Sequence, residues 1–497
     1  MKKFFLLFLI TSISFISCEK NEIDSDIETS EITVDYDQKS ALQRDFARAM
    51  ALALKESIPL RKFIKDEALK MFDNDYDILY HMVKNKQLSD GKKLRDVLKK
   101  YYKDENRLDE IENQVPLLTI LVPTLPKNSF SAELWDVQNE VPEVAIRMNN
   151  TNHVPVINNL GEEYIIKGGH IPGFPIIVIK ENERIVYNSG LTKENRYLKG
   201  AEFSTKDNRS FQFLSDAFDR SKVQNISKRR TRRLDQKILD AYDIYKNTDG
   251  WHRDYIYYDL TQNNTRDQFS FDFQEHITDF VLIDAMNAYQ KIADQSGEPN
   301  YLNSKKENSS GWTGGFFEFK VKVLINARNG VGEELTTFFT AKPEELFLIE
   351  YRQLTENINI YVFESIYSKT KRMMLPLFNW DLNQYASSIK IEIEEVDLTE
   401  TTTITDTRLV KFANNFSIDP TDGILKKIGL KFGASLEQNV SQSVQKKITQ
   451  GNDELGEVII NFADNVYTGK KHRRRYITRR YYTGLFGISV EPIRVQN

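Results

Sequence analysis

Cysteine is nearly missing: 497 residues contain one, Cys18. A single thiol excludes an intramolecular disulfide and any zinc site built from several thiolates. Histidine is scarce as well. His81, His153, His170, His252, His276 and His472 are the full set, and none falls in HExxH or another close ligand spacing. A GxSxG nucleophile elbow is lacking, and so is a glycine-rich phosphate loop with its lysine. Apolar runs of membrane-spanning length are lacking too. The most conspicuous run, Phe4–Ile16, has thirteen residues, short of the roughly twenty that a hydrocarbon core takes. Neither charge sign dominates: Lys and Arg number 68 against 72 Asp and Glu. Without Lys2 and Lys3 of the first seventeen residues the balance is 66 against 72, a net charge of −6. That argues against a nucleic-acid binder.

What is present begins with the N-terminus. Lys2, Lys3 and the apolar run have the layout of a secretory signal peptide, which is set aside in reasoning about the fold. The run ends in Phe15-Ile16-Ser17-Cys18. This tetrad resembles the lipobox of bacterial lipoproteins, with small Ser17 before the cysteine and Phe15 where Leu is usual. The resemblance implies removal of residues 1–17 and a diacylglyceryl group on Cys18, with two or more acyl chains giving stable anchoring. An ordinary signal peptide with an incidental cysteine is the alternative. Residues 18–38 follow as an acidic tether: Glu19, Glu22, Asp24, Asp26, Glu28, Glu31, Asp35 and Asp37 stand against Lys20. Such a segment buries too little apolar surface to fold and is expected to be a flexible spacer. It also resembles the acidic stretch of Bacteroidota lipoproteins exported to the outer leaflet, which implies an outer-membrane, cell-surface location. A plain solvated linker is the other reading.

The remainder predicts an α+β multidomain chain. Residues 39–110 read as a small helical domain, with Leu42, Phe46, Ala49, Met50 and Ala53 on one stripe and Pro59 opening a second helix. "FDNDYDILY" reads as a turn into a third helix. Residues 111–295 read as an α+β domain of short Ile- and Val-rich strands, with a hairpin at Ile176–Tyr187, then helices near 228–247 and over 276–292. Residues 296–311 read as a linker. From 312 to 497 the chain alternates as an antiparallel β-sandwich does: Phe317, Phe319, Val321, Val323 and Ile325 share one face, and Ile389, Ile391 and Ile393 another. Glu394-Glu395 breaks step there, as a β-bulge would.

Several motifs touch on chemistry. Asp73, Asp75 and Asp77 have the opening spacing of a calcium loop, but Ile78 and Lys84 stand where an EF-hand needs Gly and Glu. A capped interhelical turn is the plainer reading. His252-Arg253-Asp254 copies three letters of the kinase catalytic loop without its downstream Asn, so "WHRDYIYYDL" is expected to be a buried aromatic strand or, alternatively, an aromatic ligand platform. Ser387 and Lys390 satisfy SxxK within a strand pattern, and "GGHIPG" lacks the lysine and helix start that cradle phosphate. No catalytic residue is assigned.

Two basic clusters stand out. One holds Arg229, Arg230, Arg232 and Arg233; the other, an expected exposed hairpin, holds Arg473, Arg474 and Arg475. Forked guanidinium groups suit phosphate, sulfate and carboxylate, so these are the candidate polyanion-binding residues, with a salt-bridged surface as the alternative. Finally, "IKIEIEEVD" followed by "NDELGEVIINF" resembles the paired signature of C2 domains. The resemblance implies a β-sandwich and, at Asp397 and Asp453, calcium. It departs in the roughly 55 residues between the halves and in Thr399, where a further Asp would stand. The sequence therefore predicts a lipid-anchored envelope protein that binds a glycan, a polyanion or a protein partner. Cofactors are otherwise none. The alternative is a hydrolase of envelope or environmental polymers whose carboxylates converge only in the fold.

Overall fold

The computed structural model describes residues 34–188, 200–223, 235–248, 250–261, 263–264, 267–295, 298–300, 311–327, 333–355, 358–382, 385–397, 406–411, 443–448, 453–471 and 475–495. The folded body, Tyr36–Asn497, forms one unit by its contacts. Helix Gln38–Glu56 starts where the Asp37 carboxylate accepts from Ser40 N, a cap that contributes about 1 kcal/mol. It stops at Ser57, which caps the next helix, Ile58–Ala68, with Pro59 in its first turn. The first helix buries Leu42, Phe46, Ala49, Met50 and Ala53, the predicted stripe, and lies against strand Glu143–Ile146.

That strand belongs to a six-stranded sheet. In spatial order its members are Asp77–Leu79, Leu118–Leu121, Ile176–Glu181, Glu143–Ile146, Val154–Ile157 and Glu163–Ile166. Only Glu143–Ile146 and Ile176–Glu181 pair in parallel. Asp77–Leu79 overturns the expected turn between helices: the segment enters the sheet edge before the short helix Tyr80–Val83.

The C-terminal half is antiparallel. A central sheet orders Glu333–Ala341, Phe317–Ala327, Tyr385–Glu395 and Asp453–Asn461. A second sheet orders Lys371–Phe378, Phe273–Leu282, Phe486–Arg494 and Tyr481–Tyr482. The two meet across Phe280 and Phe486 on one side and Phe319 and Phe339 on the other, with ring centroids 4.8 to 6.0 Å apart. All four rings are fully buried, each a gain of roughly 1.5–3 kcal/mol. The bulge expected at Glu394-Glu395 falls on the neighbouring strand instead: Ile393 and Glu394 pair with Gly456 and Glu454, leaving Leu455 as the extra residue, while Glu394 and Glu395 keep register with Lys320 and Phe319.

Two further expectations fail here. Residues 276–292 are not one helix: Phe273–Leu282 is a strand, and only Ala285–Ile292 is helical. The strand carries bulges, so its apolar residues slip out of strict alternation and imitate a helical spacing. Conversely, the segment expected as an aromatic strand is the helix His252–Tyr258. It is buried on nearly every side, which leaves no period to read. Among the described residues, no helix is long and apolar enough to cross a membrane.

Helix His252–Tyr258 is bolted to the second sheet by Arg253. Its Nε and Nη2 donate to the two Glu275 oxygens at 2.7 and 2.9 Å, and Nη1 donates to Asp464 O at 3.0 Å. Both partners are completely buried. Arg253→Met is expected to lower stability by about 3–5 kcal/mol, because it strands the Glu275 charge. Urea unfolding would measure this. Adding Glu275→Leu should restore much of the loss; an equally unstable double variant would refute the account.

Candidate functional site

The largest departure from an ordinary core is a group of acids where three chain segments meet. Strand Tyr385–Glu395 ends on Glu395, whose cross-strand partner is Asp453, the first residue of strand Asp453–Asn461. Asp397 lies two residues on. From the other side comes the turn after helix Ala285–Ile292, carrying Asp294 and Glu298. One carboxylate oxygen each from Asp294, Glu298 and Asp397 lies within 4.8 Å of the others.

The turn is pinned in place. Tyr289 Oη donates to Pro299 O at 2.7 Å, Asn300 Nδ2 to Ala293 O at 2.6 Å, and Gln295 N to Glu298 Oε2 at 2.8 Å. Glu298, Pro299 and Asn300 are therefore buried, although the stretch beginning at 296 reads as a linker in the sequence.

Burial and charge here work against each other. Glu395 is 1% exposed and Glu298 5%. No hydrogen-bond donor among the described residues reaches either oxygen of Glu395, Oε1 of Glu298, Oδ1 of Asp397 or Oδ2 of Asp453. Two carboxylates offer each other only acceptors, so Glu395 and Asp397 can bond only by sharing a proton. Desolvation, then the neighbouring acids, push Glu298 up to about 8. Desolvation and the charges of Asp453 and Asp294 push Asp397 up to about 7. Glu395 is also raised, first by burial and then by Glu298 and Asp397. Among the described residues, Lys291 reaches the group, with its Nζ 3.4 Å from Asp453 Oδ1. Asp294 is exposed, and Asp397 and Asp453 are half-buried. The group is thus sealed on one side and open on the other.

The predicted residues fall as follows. Asp397 and Asp453, far apart in sequence, come together in this group. Asp294, Glu298 and Glu395 were not singled out, since nothing local marks a turn that folds back onto a strand end. Cys18, Arg229, Arg230, Arg232, Arg233, Arg473 and Arg474 lie outside the described residues. Arg475 opens strand Arg475–Thr478, which pairs with Tyr467–Lys471 in the expected hairpin. Basic neighbours of that hairpin have partners: Lys470 lies 4.7 Å over the Tyr476 ring, Arg479 3.6 Å from Asp464 and Arg480 3.7 Å from Asp279.

Residues of the other motifs have partners within the fold. Asp73, Asp75 and Asp77 are buried; Asn182 Nδ2 donates to Asp73 at 2.7 Å and Lys180 Nζ lies 3.0 Å from Asp77. Lys390 of the SxxK match pairs with Glu457 at 2.8 Å across the sheet. In "GGHIPG", Gly173 lies under Tyr361, whose ring would stand 2.3 Å from an added Cβ. His252 Nδ1 accepts from Val466 N at 3.1 Å inside the core. No family model matches the chain, and neither a curated protein nor a solved structure does so.

Asp254, the last letter of the HRD match, is fully buried, and among the described residues no donor reaches either oxygen. Desolvation raises it from 3.8 to about 7. A raised folded value means that the neutral acid is favoured on folding. Its stabilising effect is complete below about pH 4 and is lost as pH rises through 7, an amount of roughly 4 kcal/mol. Asp254→Asn should flatten the decline in urea midpoint between pH 5 and pH 8. Parallel profiles for parent and variant would contradict this.

Proposed function

We propose that this chain is a lipid-anchored envelope protein that binds a partner from the cell surface. The carrying observation is where the folded body starts. Asp37, the last acid of the expected tether, caps the first helix, so ordered structure is under way at the end of that segment. The seventeen residues between Cys18 and Tyr36 would reach at most roughly 60 Å when extended, ample for a tether. Binding is favoured over hydrolysis by the make-up of the acid group. Asp294, Glu298 and Asp397 converge as three carboxylates, a set suited to holding a cation, where a glycosidase uses an opposed pair. The partner classes remain a glycan, a polyanion or an envelope protein.

The full chain, expressed in a bacterium that processes lipoproteins, is expected to enter the detergent phase, to incorporate labelled fatty acid, and to be shaved by protease on intact cells. Cys18→Ala should lose the label and the detergent partitioning. Membrane retention of the Ala variant would reject the anchor. Release of product from envelope polysaccharide, where only retardation is expected, would favour the hydrolase.

A further inference from the structure

We propose that Asp294, Glu298, Glu395, Asp397 and Asp453 form a binding site for a hard divalent cation of the calcium class. The inference is independent of the anchor. Three features carry it. First, the ligand set is oxygen alone, the chemistry of hard cations. Calcium–oxygen distances of about 2.3–2.6 Å place ligands on opposite sides of one ion roughly 4.6–5.2 Å apart. The oxygens of Asp294, Glu298 and Asp397 lie within 4.8 Å of one another, which suits that shell better than the tighter octahedron of magnesium.

Second, Glu395 is 1% exposed, yet both its oxygens lack a donor. The free oxygen of Glu298 is in the same position, and so is one oxygen each of Asp397 and Asp453. Burying a carboxylate without a partner is costly, and a cation held by Asp294, Glu298 and Asp397 would oppose the charge of Glu395 and Asp453 beside them.

Third, the geometry is preformed on one side and open on the other. Glu395 and Asp453 are fixed by strand pairing, and Glu298 by Gln295 N and the pinned turn. Exposed Asp294 leaves an entry and room for water ligands. Neither Asp294, Glu298 nor Glu395 is a residue that the C2 resemblance supplied, and no family match stands behind the site.

The test uses the full chain, purified in detergent and stripped with chelator. Terbium, calcium and magnesium are titrated, with terbium luminescence sensitised by nearby Tyr289 and thermal unfolding as readouts. Calcium is expected to bind, to displace terbium, and to raise the unfolding temperature by several degrees at roughly millimolar concentration. Glu395→Gln, nearly isosteric, should weaken calcium at least ~tenfold. In chelator the same variant should be as stable as the parent or more so, because a neutral amide can donate to Asp397 where a second carboxylate only accepts. A merely structural glutamate would give the reverse, lower stability in chelator. Asp397→Asn is the second variant and should also lose affinity. Indifference of the unfolding temperature to calcium and magnesium would overturn the proposal, as would unchanged affinity in both variants. In that case the acids are held by a shared proton alone.

Discussion

Arg184 is the constraint on which the rest of the molecule hangs. Its guanidinium, 1% exposed, lies at the start of strand Ile185–Tyr187. There it donates to Asp73 O at 3.0 Å and Phe316 O at 3.1 Å, and pairs with Glu318 at 3.1 Å and Asp75 at 3.5 Å. Residues 73–75 lead into the edge of the six-stranded sheet, and residues 316–318 open the central antiparallel sheet. One buried cation thus ties both halves of the fold. Desolvating such a group is expensive, and only several well-placed partners offset it. The partners come in excess: Asp73 is pushed up to about 6 by burial even with Arg184 beside it. Burial likewise raises Glu318 despite that guanidinium, and Asp75, Asp73 and Glu298 raise it further.

The contrast between two buried glutamates defines what is unusual. Glu275 accepts from Arg253 twice, from Tyr257 Oη at 3.1 Å and from Trp380 Nε1 at 3.0 Å. It is a finished piece of core, its charge opposed and its lone pairs used. Glu395 is equally buried and has none of this. The same side chain, equally buried, is therefore finished core in one place and short of donors in the other. The distinction rests on donors, not on acidity.

Regular alternation made the central sheet legible. Phe317 to Ile325 and Ile389 to Ile393 point the way the sequence predicts, whereas the bulge sits not on Glu394-Glu395 but on Leu455 of the neighbouring strand. The first helix was equally clear from its stripe and its break at Ser57. Where burial is all-round, as in His252–Tyr258, or bulges shift the phase, as in Phe273–Leu282, the period misleads. The candidate site was half legible. Asp397 and Asp453 carry a local signature, but Glu298 reaches them only through a turn fixed by Tyr289 and Asn300. Arg184 gives no local sign at all, since its acids lie about 110 and 130 residues away in the chain.

The clamp and the acid group are also joined through one peptide unit. Val396, between Glu395 and Asp397, donates its N–H to Glu318 O at 2.9 Å, while the Glu318 carboxylate holds Arg184. Glu298 raises Glu318 and Glu318 raises Glu395, so the same negative field runs from Asp73 to the strand end. Arg184 neutralises one end of this field; at the other, Lys291 reaches Asp453. A cation added at the open end would make the potential felt by Glu318 less negative as well, and the interaction would travel through low-dielectric protein where charges are weakly screened. The surplus of acid is therefore a property of the whole buried line of carboxylates, and the open end is where an external ion can reach it.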